Sequence, residues 1–240
     1  MALIECREMF PSIRNTARYT ILMPEEGARA AKAVLWLLPV RRGYANDWVR
    51  YTGIELWARK AGLVVVMPEG LSSDFCNMKY GMNWWTFLSE ELPEHLETLF
   101  GLPMENNLVF GAEMGAVGAV KLALRQPERF KAAGAVGVDF SCVAAYAKGE
   151  IESHDLEAIY GKLPVAEDVL EACDPLRLAK RCAPSDSPLF LNRADVGVQA
   201  IADAGTHPVL WREAAASDWE GYGECLKEFL EKTIAKEGKA

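Results

Sequence analysis

The sequence predicts an α/β fold, with a mostly parallel central sheet and helices on both of its faces. Two runs, AVLWLLP (33–39) and LVVVMP (63–68), are almost wholly apolar and have the length of strands buried on both faces. Segments with apolar residues at helical spacing alternate with such strands. No internal repeat, low-complexity tract or linker interrupts the 240 residues, so we expect one domain over 1–240.

The first half of the chain contains three further elements. RYTILMP (18–24) is rich in β-forming residues and predicts a strand. DWVRYTGIELWARKAG (47–62) spaces its apolar residues as a helix does and ends on Gly62, a common C-cap. WWTFLSEELPEHLETLFG (84–101) predicts a helix that breaks or begins again at Pro93, because proline removes an internal hydrogen bond.

The second half continues the alternation. NLVF (107–110) predicts a strand that enters the turn GAEMGAVGA (111–119), and a helix follows to about Gln126. AAGAVGV (132–138) predicts a strand of small residues, and 139–185 predicts a lid-like insertion of irregular and helical segments. Two strands and an amphipathic helix complete the chain, at PLFLNRAD (188–195), HPVLWRE (207–213) and YGECLKEFLEKTIAKEG (222–238).

Charge and composition argue against several kinds of partner. The net charge is −8 and no stretch concentrates Lys or Arg, so nucleic acid is not expected as a partner. No run approaches the roughly 18 apolar residues of a membrane span, and the N-terminus carries charges where a signal peptide is apolar. Six cysteines without a C-x-x-C pair predict free thiols in a reducing cytoplasm, with no metal site and no cofactor. A homo-oligomer is compatible with the sequence.

The turn GAEMGAVGA has the layout of a nucleophile elbow, in which a strand meets a helix through a tight turn, G-x-S-x-G. Gly111 and Gly115 occupy the two glycine positions, but Glu113 stands where the motif has serine. We expect a strained turn at Glu113 with a positive φ. The alternative is a chance pair of glycines that lets a helix pack closely on a sheet.

Four stretches, in this order, resemble the esterase branch of the α/β-hydrolases, the group of S-formylglutathione hydrolases (esterase D) and tributyrin or acetyl-xylan esterases. They are WVRYTGIELWARKAGLVVVMPEG (48–70), YGMNWWTFLSEELPEHLETLFG (80–101), LVFGAEMGAVGAVKLALRQPERFKAAGAVG (108–137) and DWEGYGECLKEFL (218–230). The resemblance implies an α/β-hydrolase fold over nearly the whole chain except roughly 139–185.

The resemblance also implies where the catalytic parts would lie. The nucleophile, acid and histidine positions fall on Glu113, Asp195 and Ser217, and the remnant of the oxyanion site falls on Met114 and Val40. Serine-hydrolase chemistry needs a serine, a histidine that takes its proton and an acid that orients the histidine. Because only the acid is retained, the resemblance implies a degenerate triad.

Other candidates for the missing base and nucleophile are the three histidines and Glu113 itself. None of the histidines falls where a base is expected; they are His95, His154 and His207. A carboxylate at Glu113 could attack an ester, but the resulting intermediate needs a water activated by a base.

Three tryptophans are candidates for the core or a pocket wall, namely Trp84, Trp85 and Trp219.

These observations predict an esterase-like homologue without serine-hydrolase activity, which binds a small ligand that is ester-like or free of acidic groups, or serves as a partner subunit. Two alternatives stay open: an active carboxylesterase or thioesterase of the S-formylglutathione hydrolase or tributyrin esterase type, and a protein-interaction scaffold. Two contacts are expected within the site. The Glu113 carboxylate should fold back onto the N–H of Met114, and Asp195 should share a hydrogen bond with Ser217.

Overall fold

A computed structural model describes residues 1–234. Its centre is a single sheet of eight strands. In chain order the strands are β1 (Ala2–Phe10), β2 (Asn15–Met23), β3 (Ala33–Leu38), β4 (Leu63–Pro68), β5 (Asn107–Ala112), β6 (Phe130–Val136), β7 (Leu189–Asn192) and β8 (Val209–Arg212). In the sheet they lie in the order β1-β2-β4-β3-β5-β6-β7-β8. β1 pairs antiparallel with β2, β2 antiparallel with β4, and every other pair is parallel. The predicted mostly parallel sheet is confirmed.

Helices cover both faces of the sheet, as predicted. They are α1 (Asp47–Tyr51), α2 (Ile54–Ala61), α3 (Trp84–Thr86), α4 (Leu92–Phe100), α5 (Met114–Arg125), α6 (Cys142–Ala147), α7 (His154–Tyr160), α8 (Glu167–Cys173), α9 (Pro175–Ala179), α10 (Val198–Asp203) and α11 (Trp219–Ile234). Side chains of β3 alternate between two cores: Trp36 belongs to one that includes residues of α4 and α5, and Leu37 to one that includes residues of α1, α2 and α11. No helix among residues 1–234 is long and apolar enough to cross a membrane.

Two predicted helices differ from the observed ones. The segment 47–62 is two helices, because Thr52 is extended and separates α1 from α2; Gly62 ends α2 with φ 70°, as predicted. The segment 84–101 is helical throughout, with a π-helical turn at Phe87–Glu91, so the expected break is wrong, but α4 begins at Leu92, next to Pro93, as the alternative of a new start predicted. The Ser89 carbonyl, which proline cannot pair, accepts hydrogen bonds from Gln126 and Arg129 instead.

The two ends of the chain also depart from the sequence prediction. The edge strand β1 was not predicted, and it is half polar, with only Phe10 fully buried. The last helix begins at Trp219 rather than at 222, and the predicted residues 235–238 lie outside the described part of the chain.

The predicted insertion 139–185 contains α6 to α9. These helices carry a small hydrophobic cluster of their own, which includes Tyr146, Ile159 and Tyr160 and reaches Cys76 in the loop after β4. The segment therefore packs over the carboxyl-terminal edge of the parallel strands, next to the elbow.

Candidate functional site

The turn between β5 and α5 has the strained backbone expected of an elbow. Glu113 has φ 50° and ψ −116°, a conformation that L-residues rarely adopt, so the prediction of a positive φ is confirmed. Both neighbouring glycines are sterically required. A Cβ on Gly111 would lie 2.2 Å from the Gly115 carbonyl, and a Cβ on Gly115 would lie 2.5 Å from the Leu38 carbonyl oxygen.

The carboxylate of Glu113 is held by the last helix rather than by its own helix. The Tyr222 hydroxyl donates a hydrogen bond to Glu113 Oε1 at 3.1 Å. Glu113 makes no side-chain hydrogen bond to the N-terminus of α5, so the expectation that it folds back onto Met114 is wrong. The strained backbone directs the side chain towards α11, where the hydroxyl of Tyr222 offers a donor.

Asp195 follows β7 and is mostly buried, next to the loop after β6. Desolvation by burial raises the pKa of Asp195 from 3.8 to about 6, against the smaller opposite effect of the backbone N–H groups of Val138 and Gly137. Its Oδ2 atom is buried and has no hydrogen-bond partner within residues 1–234. Asp195 thus keeps an acceptor that nothing in the described chain uses.

Ser217 does not provide that partner. It is exposed, and no hydrogen bond joins it to Asp195 in the described chain, so the expected contact is wrong. A serine hydroxyl reaches less far than an imidazole, and the next residue, Asp218, is held by the N–H of Gly221 at the start of α11. The position assigned to the family histidine therefore carries no group that touches the acid.

A cavity of about 150 Å³ lies against the elbow. Polar side chains from four parts of the chain line it, namely Arg41, Asp74, Glu113, Asp139 and Cys142. Arg41 Nη2 donates to Asp74 Oδ1, and Tyr160 of α7 donates to Asp74 Oδ2 at 2.7 Å. The ion pair and the tyrosine fasten the insertion to the cavity wall. Within residues 1–234 no group of three or more His, Cys, Asp or Glu is placed to hold a metal ion.

A buried lysine bonds the loop that carries Asp74 of the cavity wall. Lys121 of α5 is 1% exposed, and its Nζ donates to the carbonyls of Asp74 and Phe75 at 3.0 and 2.9 Å. Asp74 and Phe75 both have φ 47°, which leaves their carbonyls directed at the ammonium group. The lysine thus stabilises a strained loop that carries a site residue.

The other predicted site residues are distributed over several surroundings. Met114 lines the cavity beside Glu113, but Val40 does not. The Val40 carbonyl accepts a hydrogen bond from the N–H of Gly43 and closes a turn. Trp84 lines a separate cavity of about 430 Å³, and Trp85 packs under Arg125 at 4.4 Å. Trp219 stacks on Tyr51 and contacts Trp48 edge to face. None of the three tryptophans lines the cavity at Glu113.

The histidines lie away from this cavity. His95 bonds the Tyr19 hydroxyl at 3.0 Å near the β1–β2 edge, and His207 is buried beside Thr206, where desolvation lowers its pKa. His154 is exposed at the start of α7. No histidine of the described chain lines the cavity at Glu113.

Sequence reasoning missed the residues that surround Glu113. Tyr222 follows the DW pair within DWEGYG and could have been considered as a partner of the elbow, since the start of the last helix carries the family histidine position. Arg41 stands next to Arg42 in the sequence and carries no motif. Asp74, Asp139 and Cys142 carry no sequence motif, so only the folded chain brings them together.

Comparison with known proteins places this chain in a family. The sequence model of the Esterase family, described as "Putative esterase", matches residues 20–235. The chain belongs to this esterase family. The diacylglycerol acyltransferase/mycolyltransferase Ag85B of Mycobacterium avium is 29% identical over 149 residues, which cover 54% of this chain and 44% of that protein. The S-formylglutathione hydrolase of Paracoccus denitrificans is 24% identical over 139 residues, covering 49% of this chain and 50% of that protein. The chain thus spans about half the length, or less, of these curated relatives.

Solved structures extend the likeness to the whole fold. The S-formylglutathione hydrolase of Agrobacterium tumefaciens superposes with a TM-score of 0.80 at 18% identity, over 98% of this chain and 95% of that one. FphF, a fluorophosphonate-binding serine hydrolase of Staphylococcus aureus, superposes with a TM-score of 0.79 at 22% identity, over 97% and 98%. The chain of this esterase-family protein therefore has the α/β-hydrolase fold that the resemblance implied.

Proposed function

We propose that this member of the esterase family is not a serine hydrolase and uses the cavity at its elbow to bind a small ligand that lacks an acidic group. The observation that carries the proposal is the contact between Glu113 and Tyr222. A carboxylate occupies the elbow position and is hydrogen-bonded in place, where the reaction of a serine hydrolase requires a hydroxyl beside a base.

The surrounding groups support the loss of hydrolysis. A nucleophile other than serine would still need a base to activate water, and no histidine of residues 1–234 lines the cavity. The acid position, Asp195, has a buried oxygen with no partner, as expected of an orienting carboxylate whose imidazole has been lost.

The charge of the cavity favours neutral or cationic ligands. Three carboxyl side chains line it, those of Asp74, Glu113 and Asp139, and its one arginine, Arg41, is paired with Asp74. Carboxyl groups outnumber the arginine among the described residues that line the cavity, so an anionic ligand would meet net like charge. The volume of about 150 Å³ equals that of about five water molecules in the liquid, so the ligand, or the part that enters, is small.

Ligand binding and turnover can be measured on the same purified protein. We expect methylguanidinium or ethyl acetate to raise the melting temperature, sodium acetate not to raise it, and p-nitrophenyl acetate not to be hydrolysed above the buffer rate. Asp139→Asn should weaken the shift caused by methylguanidinium, and Asp186→Asn, at an exposed aspartate away from the cavity, should not. Stabilisation by acetate alone, or no stabilisation by any of the three compounds, would contradict the proposal.

An active carboxylesterase is the second candidate, because the chain belongs to an esterase family. Hydrolysis of p-nitrophenyl acetate in proportion to protein concentration would favour it. A role as partner subunit or interaction scaffold predicts neither turnover nor a ligand shift, together with co-purification of one defined polypeptide in stoichiometric amount.

A further inference from the structure

The edge strand β1 has a free side. Its nine residues pair with β2 along their full length, from Ala2 opposite Met23 to Phe10 opposite Asn15. No other strand among residues 1–234 pairs with β1, which is the first strand of the sheet order. An edge of this length presents a row of unpaired N–H and C=O groups and is a template for adding another strand.

From Leu3 to Phe10, side chains along this edge alternate between an outer and an inner face. Leu3, Glu5, Arg7 and Met9 are exposed on one face, with Leu3 52% and Met9 74% exposed. On the other face Phe10 is buried in the core, and Ile4 and Cys6 pack against it. The outer face thus carries two large apolar side chains flanking a pair of opposite charges.

This pattern is complementary to itself in one antiparallel register. A two-fold axis at Cys6 sets Glu5 opposite Arg7 of the second copy, Arg7 opposite its Glu5, and Leu3 opposite its Met9. The neighbouring registers that keep the same face outward move the axis to Glu5 or Arg7. They place like charges opposite each other, which is destabilising. The sequence of the strand therefore selects the register centred on Cys6.

The two charges have little else to bind within their own chain. The Arg7 side chain makes no hydrogen bond or ion pair within the described residues, and its neighbour across β2 is Arg18, a like charge that contacts Glu69. Glu5 has one polar contact, with Asn46 Nδ2 at 3.4 Å. A second copy would provide each of these side chains with an opposite charge.

We propose that the protein forms a two-fold homodimer in which β1 pairs antiparallel with β1 of a second copy. The two sheets then form one continuous sheet of sixteen strands, with Cys6 of each copy on the axis. The proposal is independent of the function of the cavity at Glu113, because β1 lies at the sheet edge and contributes no residue to that cavity.

Cross-linking at the native Cys6 tests the register. Residues directly opposite in an antiparallel ladder have Cα atoms about 4.5–5.5 Å apart, which is within the range for a disulfide. With copper phenanthroline as oxidant we expect a covalent dimer of the wild type on a non-reducing gel. Cys6→Ser should abolish it and Cys182→Ser, at another half-buried free cysteine, should retain it. Absence of the cross-link, or a cross-link that survives Cys6→Ser, would overturn the register.

Charge exchange tests the interface itself, by sedimentation equilibrium. Arg7→Glu places glutamates opposite each other at two symmetric positions and should weaken dimerisation about tenfold or more. Glu5→Arg combined with Arg7→Glu restores opposite charges and should restore the dimer. Circular dichroism checks that these exposed substitutions leave the fold intact. A monomer at all concentrations, or a dimer unaffected by Arg7→Glu, would overturn the proposal.

Discussion

The Tyr222 hydroxyl lies 3.1 Å from Glu113 Oε1 and joins the first turn of α11 to the elbow after β5. The residues are 109 positions apart in the chain, so the bond helps to position the last helix against the sheet. Hydrogen bonds to charged groups contribute about 1.5–3 kcal/mol to stability when they are shielded from water.

This contact predicts an energetic coupling. We expect Tyr222→Phe and Glu113→Met each to lower the free energy of unfolding, with a coupling of about 1–2 kcal/mol in the double-mutant cycle. Urea unfolding of the four proteins measures it. Tyr146→Phe, which removes a hydroxyl bonded to the Gly161 carbonyl, is the control and should not couple to Glu113→Met. A Tyr222–Glu113 coupling near zero would mean that the bond does not form in solution.

Asp195 predicts a pH dependence of stability. Its pKa is raised by burial from 3.8 to about 6, so between these values the unfolded chain has lost the proton that the folded protein keeps. Stability therefore falls as pH rises through this interval, and the cost is fully present above it. Asp195→Asn removes the ionisation and should be more stable than wild type at pH 7, by on the order of 1 kcal/mol given the partial solvation of the group.

Urea unfolding between pH 3 and pH 7 measures this effect. The advantage of Asp195→Asn should shrink towards the acidic end of the range, where wild type also keeps the proton. Asp186→Asn, at an exposed position, is the control and should follow wild type throughout. An Asp195→Asn variant that is less stable than wild type at pH 7 would show that the carboxylate stabilises the fold.

The close approach of α5 to β3 predicts different costs for two glycines. A Cβ on Gly115 would lie 2.5 Å from the Leu38 carbonyl oxygen, whereas a Cβ on Gly118 would meet side chains of Phe75 and Leu38. The backbone can shift less than side chains can, so Gly115→Ala should lower the free energy of unfolding by more than Gly118→Ala does. We expect a loss of about 3 kcal/mol or above for Gly115→Ala and about 1–2 kcal/mol for Gly118→Ala. Thermal unfolding would show it, and equal costs would contradict the geometry.

The partnerless oxygen of Asp195 predicts that hydrolysis can be rebuilt. In Glu113→Ser with Ser217→His, we expect the new imidazole to bond the Asp195 carboxylate, whose Oδ2 has no partner in the described chain. We expect the double variant to hydrolyse p-nitrophenyl acetate about 10²-fold faster than either single variant, since a general base contributes about that factor or more. Adding Asp195→Ala should remove most of the gain. A single Glu113→Ser variant as active as the double would reveal a base elsewhere.

Much of the fold could be predicted because its strands are extreme in composition. β4 was predicted as 63–68 and spans Leu63–Pro68, since a run buried on both faces leaves a continuous apolar signal. β1 gives no such signal, because an edge strand is half solvated and alternates polar with apolar residues. The local pattern also did not predict that the chain stays helical through Pro93. There Gln126 and Arg129, from elsewhere in the chain, donate hydrogen bonds to the Ser89 carbonyl that proline leaves unpaired.

The site was predictable where glycine spacing fixes the backbone and unpredictable where loops meet. Gly111 and Gly115 are close in sequence, so the strained turn at Glu113 could be expected. The contacts of the Glu113 side chain depend on where α11 begins. The Glu113 carboxylate bonds the Tyr222 hydroxyl and not the N–H of Met114 because of tertiary packing, which a local sequence pattern does not contain. Asp195 and Ser217 follow each other in the chain as the acid and histidine positions of the family do. This order along the chain does not fix the distance between their side chains.

Reaction with a fluorophosphonate probe tests the absence of a serine nucleophile most directly. A fluorophosphonate phosphonylates an activated serine and leaves unactivated hydroxyls unchanged. We expect the purified wild-type protein to show no added mass, under conditions in which the Glu113→Ser, Ser217→His double variant is labelled at position 113. Stoichiometric labelling of any serine of the wild type would contradict the account and establish the protein as a serine hydrolase with a site other than the elbow.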